Sequence, residues 1–398
     1  MYIAIPAMGE FHFIKVCLDS IKTQKFKNFE VYICVNQPEE YWDLDDKKEI
    51  CENNASTIEL LKNESEIPLK LFDKNSRNNG WQGKYFGVGA ARKFLMDEII
   101  KDASENDIIV SLDADTYFGE NYFQSIFDIF LENPKTVGLS NPYYHPLTSD
   151  ENANRAILHY EIYMRYYAIN LWRINSPYSF TALGSAMAFP VWAYKALGGL
   201  TAKKSGEDFY FLQKLRKYGT LLNWNKEKVY PASRFSDRVF FGTGPAMIKG
   251  NNGDWESYPI YDYHLFDKIS ETYQLFSKLF KEDIETPMSE FISQCFKEGN
   301  IWEALRLNNK DEKHFVKACH DKIDGLRILQ FLKSAQNKLE KKDEENLVDF
   351  LKTFHSNSLN NEIISVLDEF DFNKSSITDL NKIRDLLIVF EENTQKTK

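Results

Sequence analysis

The sequence predicts a three-layer α/β domain on a mostly parallel sheet, followed by an all-α C-terminal region. Three observations carry this expectation. Short apolar runs alternate with stretches of helical spacing through the first half, the pattern of helices laid over parallel strands. Beyond about residue 267 glycine nearly disappears, with Gly299 and Gly325 remaining and Pro287 the one proline. A 43% hydrophobic share, with 15% aromatic residues, is enough to fill a packed core.

The elements follow in order. Tyr2 to Ile5 is a short buried strand stopped by Pro6, and Phe11 to Gln24 places Ile14, Cys17, Leu18 and Ile21 on one helical face. Val31 to Val35 and Leu69 to Phe72 read as strands, and Gly89 to Ile100 as a helix. Ile108 to Leu112 is a strand that halts at Asp113. A helix over Phe123 to Leu131 and a strand over Thr136 to Leu139 come next. Asn152 to Arg173 is a long helix, Ala186 to Phe189 a strand, and Glu207 to Tyr218 a helix with Phe211, Leu212 and Leu215 inward. Tyr230 to Asp254, rich in Gly, Ser, Asn and Arg, reads as one long loop of the kind that serves function. The remainder predicts roughly five to seven helices. The expected division is a domain over residues 1–264 and a helical one over 265–398.

Charge narrows the function. Lys and Arg number 49 against 59 Asp and Glu, a net charge of -10, which argues against a nucleic-acid partner. No basic segment leads into an apolar one at the N-terminus, and no apolar run approaches the roughly 18 residues of a membrane span. Cys17, Cys34, Cys51, Cys295 and Cys319 are scattered without metal-ligand spacing, so reduced thiols in a cytoplasmic protein are expected.

The chemistry concentrates at two places. Asp113-Ala114-Asp115 closes the apolar run Ile108 to Leu112. Ligands of open α/β sheets sit beyond the carboxyl ends of strands, and paired carboxylates there can hold a divalent cation that bridges two phosphates. Asp-x-Asp also arises by chance about once in a chain of this length, most often as a solvated turn; the strand before it favours the site. Gly206-Glu207-Asp208 opens a helix, where carboxylates cap the positive dipole end. Asp208, with Glu207 beside it, is alternatively a general base for an attacking hydroxyl.

Taken in order, Ile5-Pro6-Ala7 with Glu10, Asp113-Ala114-Asp115, Gly198-Gly199 and Gly206-Glu207-Asp208 resemble family 2 glycosyltransferases of the GT-A fold. Gly87-Val88-Gly89-Ala90-Ala91-Arg92-Lys93, Glu207 to Leu212 and Ser236-Asp237-Arg238 through Gly244 resemble a bacterial subgroup of that family. The likeness spans about residues 1–250 and leaves the helical region uncovered. It implies a sugar moved from a UDP- or GDP-sugar donor to a sugar, glycolipid or polysaccharide acceptor. It implies Mn²⁺ or Mg²⁺ at Asp113 and Asp115, with Asp208 as the base of an inverting transfer. Pro6, Ala7 and Glu10 would cradle the base and ribose, as would Asn36, standing where relatives carry an aspartate. His264 would be a third metal ligand, although a lone histidine also serves as a packed or surface residue.

Around that frame Lys84 is either a phosphate contact or a solvated loop lysine, and Arg92 either adds to the same field or joins an ordinary ion pair. Arg238, then Arg234, are the expected phosphate contacts of the long loop. A retaining transferase, a nucleotidyltransferase and a non-catalytic nucleotide-sugar-binding protein stay open; the acidic Pro6 to Glu10 turn counts against the nucleotidyltransferase. No transmembrane segment is expected, and the helical region could shape the acceptor site, form a dimer or touch a membrane surface.

Overall fold

The structure, a computed structural model, describes residues 1–83, 86–203, 206–237, 242–296 and 300–396. Two compact units emerge: Met1–Ile157 with Phe180–Asp254, and Leu158–Ser179 with Trp255–Lys398.

The first unit is α/β, as the alternating pattern predicts. Its strands are β1 (Tyr2–Ala7), β2 (Glu30–Asn36), β3 (Leu69–Lys74), β4 (Ile108–Ser111), β5 (Thr116–Phe118), β6 (Gly138–Ser140), β7 (Met187–Pro190), β8 (Leu221–Leu222) and β9 (Val229–Pro231). Seven of them form one sheet in the order β3-β2-β1-β4-β7-β6-β8, and β5 pairs with β9. β7 runs antiparallel to β4 and β6, while the other pairs of the large sheet are parallel. Central strands covered on both faces must be apolar throughout, which is why Ile3 to Ile5, Val31 to Val35 and Ile108 to Val110 are buried runs without alternation. Pro6 sits inside β1, not after it, beyond the last β1–β4 partner pair of Ala4 with Ser111. After the Leu112 N–H to the Ala4 carbonyl at 3.1 Å, the next donor of that parallel ladder would be residue 6, and proline has none, so the β1–β4 pairing ends there.

Helices α1 (Ile14–Lys22), α2 (Lys48–Lys62), α3 (Val88–Asp102) and α4 (Tyr122–Glu132) lie between these strands. They are followed by α5 (Glu151–Arg173), α6 (Val191–Ala196), α7 (Glu207–Tyr218) and α8 (Thr243–Asn251). Two differences from the sequence reading stand out. α2 replaces an apolar stripe with Cys51, Asn54 and Thr57 beside Ile58 and Leu61, so its buried face is half polar. The stretch from Tyr230 to Asp254 is not one loop, because it contains α8, which follows Gly242.

The second unit is all helical. From Trp255 onward it holds α9 (Tyr263–Gln274), α10 (Phe276–Leu279), α11 (Ser289–Cys295), α12 (Ile301–Asn308) and α13 (Glu312–Lys322). α14 (Gly325–Gln336), α15 (Asp343–Phe354), α16 (Asn361–Asp368) and α17 (Ile377–Lys396) complete it. Side-chain oxygens of Asp262, Asn300, Asp311, Asp324 and Asn360 accept from backbone N–H groups in the first turns of their helices, satisfying donors the helix leaves open. The expected boundary at residue 264 differs from this division in one respect. Leu158–Ser179 belongs with the helical unit, since Tyr160 and Tyr163 pack edge-on against Tyr258, and the Tyr166 hydroxyl donates to the Tyr261 carbonyl at 2.6 Å. All five cysteines are free, as expected. Among the described residues no helix is long and apolar enough to cross a membrane.

Candidate active site

Strand order reverses direction between β1 and β4, the switch point at which ligands of open α/β sheets bind in a crevice beyond the strands' carboxyl ends. Ala7 and Glu10 follow β1, and Asp113 to Asp115 follow β4. The Glu10 turn is braced from α2: Asn54 Oδ1 accepts from the Gly9 N–H at 2.8 Å and Asn53 Oδ1 from the Phe11 N–H at 2.9 Å. Nothing in the sequence marks these two asparagines, which lie in an unremarked polar helix.

Asp113 and Asp115 face different cations. Arg92 Nη2 reaches Asp113 Oδ1 at 2.7 Å, and Arg92 Nη1 lies 3.4 Å from Glu207 Oε1. One guanidinium thus ties the end of β4 to the start of α7. Arg92 is only 2% exposed, so the phosphate-facing role open to it in the sequence is not where the structure puts it. Gly184 makes that burial possible, because a Cβ there would lie 2.4 Å from Arg92 Nη2. Asp115 Oδ2 instead accepts from Arg234 Nη2 at 2.6 Å and from its Nε at 3.1 Å. The same Nη2 donates to Glu10 Oε1 and Oε2 at 2.8 and 2.7 Å, and the guanidinium lies 3.9 Å from the Phe13 ring centroid. Asp115, Asp113 and Glu10 share one neighbourhood. Burial pushes the Cys17 thiol far up, and these three charges, in that order, push it further.

α7 starts at Glu207 after Gly206, whose φ of +74 is a conformation that glycine adopts without a Cβ penalty. Burial pushes Glu207 up to about 7 against the pull of Arg92, with the Asp208 charge adding to the rise. Asp208 is also raised, by burial first, with Arg92 opposing. The two differ in access: Glu207 is 3% exposed, whereas Asp208 is half-buried and accepts from the Phe209 N–H at 2.7 Å.

The remaining expected residues divide. Pro6, Ala7 and Ala114 are backbone positions of the crevice, with Ala7 and Ala114 buried. Asn36 is 2% exposed; its Nδ2 donates to the Ala7 carbonyl at 2.9 Å and its Oδ1 accepts from Trp81 Nε1 at 3.0 Å. Its amide therefore fastens β1 to the segment after β3. A direct contact from it to a nucleotide would require breaking one of these bonds. His264 lies in the helical unit, exposed, with Nδ1 2.7 Å from Asp262 Oδ1. Lys84 and Arg238 fall outside the described residues.

Among the described residues no group of three or more His, Cys, Asp or Glu side chains is disposed to hold a metal ion. A pair of carboxylates still fits Mn²⁺ or Mg²⁺ when substrate phosphates supply further oxygens, the usual arrangement for the smaller hard cations. The chemistry of the donor set agrees, since Asp115 and Glu10 are hard oxygen donors that already converge on one positive group.

No protein-family model matches the chain, and no curated protein sequence does. Solved structures resemble it at a distance. Staphylococcus aureus TarS 1-349 in complex with UDP-GlcNAc is 12% identical, with 98% of this chain and 91% of that one covered, at a TM-score of 0.39. The mannosyltransferase PcManGT from Pyrobaculum calidifontis, with GDP-Man and Mn²⁺, is 14% identical over 99% and 86% of the chains, at 0.37. GalNAc-T7 with UDP, GalNAc and Mn²⁺ is 13% identical over 79% and 55%, at 0.35. Likeness this distant does not fix an activity, so function rests on the residues.

Proposed function

We propose that this protein is a metal-dependent glycosyltransferase that moves a sugar from a nucleotide-sugar donor to an acceptor hydroxyl. One observation carries the reading: Arg92 draws Asp113, after β4, and Glu207, beside Asp208, onto a single guanidinium. Carboxylates 94 residues apart in the chain (207 less 113) thereby meet just beyond the end of β4.

Asp115 and Asp113 would hold Mn²⁺ or Mg²⁺, which supplies positive charge for the nucleoside diphosphate as it departs. Asp208, the less buried of the two residues that open α7, takes the proton from the acceptor hydroxyl as that oxygen attacks the anomeric carbon. Glu207 and Arg92 are positioning residues, holding Asp113 and the first turn of α7 in register. Direct displacement inverts the anomeric centre, and the anomeric proton of the product, followed by NMR, distinguishes this from retention. The Glu10 turn and the Asn36–Trp81 pair border the donor's base and ribose. UDP- and GDP-sugars are the donors to test first.

Thermal-shift measurements against these donors, with and without Mn²⁺, test the proposal. At 100-fold saturation a bound donor adds roughly 2.7 kcal/mol of stability. Stabilisation that needs both donor and metal, and is lost in Asp115→Asn, is expected. No shift with any donor at millimolar concentration refutes the assignment.

A further inference from the structure

Arg234 holds a position that a phosphate-binding arginine would not need. Its guanidinium sits between Glu10 and Asp115, with four N–O contacts of 2.6 to 3.1 Å, and its side chain is 19% exposed. Charge-assisted bonds from one guanidinium to two carboxylates are among the strongest a side chain makes. They are also spent on the carboxylate that the reading above gives to the metal. A divalent cation at Asp115 and this guanidinium would be two positive charges competing for one carboxylate.

We propose that Arg234 is an internal counter-cation of the crevice, occupying Asp115 and Glu10 until a divalent cation displaces it. This rests on the metal-dependent reading above and deepens it. Three features fit a group built to be exchanged. Arg234 lies in the irregular segment after β9, so no helix or strand fixes its backbone. Its guanidinium rests on the Phe13 ring, 3.9 Å from the centroid, a face that attracts a cation without a directional bond. Arg92, by contrast, is carried by helix α3, is only 2% exposed and meets Asp113 at Oδ1. The crevice therefore has one fixed guanidinium, at Asp113, and one exchangeable one, at Asp115. Once displaced, Arg234 carries its charge free of Asp115, available to an anionic ligand such as a nucleoside diphosphate. Exchange would make cation and anion binding mutually reinforcing, because each relieves a cost the other imposes.

The test uses the full chain and Mn²⁺ alone, titrated by electron paramagnetic resonance of the free ion, with no nucleotide present. Arg234→Gln is expected to bind Mn²⁺ at least about tenfold more tightly than wild type, equivalent to removing about 1.4 kcal/mol of competition. Arg234→Lys keeps the charge but not the fork that spans two carboxylates, so it should fall between them. Adding Asp115→Asn to Arg234→Gln should abolish the gain. Circular dichroism of each variant checks that it folds, and Arg234→Lys keeps the comparison available if Arg234→Gln does not. Equal or weaker Mn²⁺ binding by Arg234→Gln, still lost on Asp115→Asn, overturns the counter-cation role while leaving the metal reading in place. Failure of wild type and both variants to bind Mn²⁺ at millimolar concentration overturns the proposal together with that reading.

Discussion

The two units bury charge in opposite ways. In the helical unit Glu161, Arg165, Arg384 and Glu391, each nine-tenths or more buried, form a core of two acids and two bases, with the more exposed Asp385 3.6 Å from Arg384 Nε at its edge. Arg165 pairs with Glu391 and, at 2.5 Å, with Glu161, which Arg384 also meets at 3.4 Å. The α/β unit gathers Glu10, Asp113, Asp115, Glu207 and Asp208 around Arg92 and Arg234, five carboxylates on two guanidiniums among the described residues. A balanced, sealed set serves the fold, because every charge there has its partner within the protein. Carboxylates gathered at a strand end are costly to fold around, and the function proposed above gives them a cation from outside. Both clusters are buried to a large extent, so burial alone does not separate the helical unit's cluster from the proposed site.

Three measurements would break or sharpen that contrast. Asp208→Asn removes a base without disturbing the ion pairs, and turnover should fall by about 10²- to 10⁴-fold with folding intact, read as nucleoside diphosphate release. Unchanged turnover would remove Asp208 from the role of base, and no turnover in the wild type either would leave a binding protein. Next, Glu391→Leu upsets the balanced set and should cost about 3–5 kcal/mol in urea unfolding, whereas replacing Arg165 and Glu391 together by Met and Leu should cost much less. A double variant as unstable as the single one would deny that balance matters.

The smallest effect is a pH response of opposite sign in the two units. Glu207 has its folded-state pKa raised from 4.5 to about 7, so its contribution is full below pH 4.5 and is lost as pH rises through 7, about 3 kcal/mol in all. His159 lies in the helical unit between the Trp255 and Phe372 rings, at 3.8 and 3.7 Å, and burial depresses it from 6.5 to about 3. Its contribution is full above pH 6.5 and is lost as pH falls, about 2 kcal/mol by pH 5. Glu207→Gln should flatten the fall in stability as pH rises from 4.5 to 7, and His159→Phe the fall as pH drops below 6.5. Slopes that stay put in those variants would mean other groups set the profile.

The sequence by itself determined the sheet and its helical appendix. Buried parallel strands must be continuous apolar runs, and a glycine-poor stretch with helical spacing has few alternatives to a helical bundle. It also placed Asp113 and Asp115 at a strand end, since the run Ile108 to Leu112 can stop only where polar residues begin. Elements with weak local signals escaped it. α2 hides its inward face behind Asn54 and Thr57, β5 and β9 are three-residue strands that exist through each other, and the glycines flanking α8 imitate a loop. Partner choice was beyond its reach altogether. Arg92 meets Glu207 across 115 positions and Arg234 meets Glu10 across 224, separations over which no local pattern carries information. Only the folded chain decides which acid each guanidinium meets, because that choice depends on which strand ends and helix starts the sheet brings to one crevice.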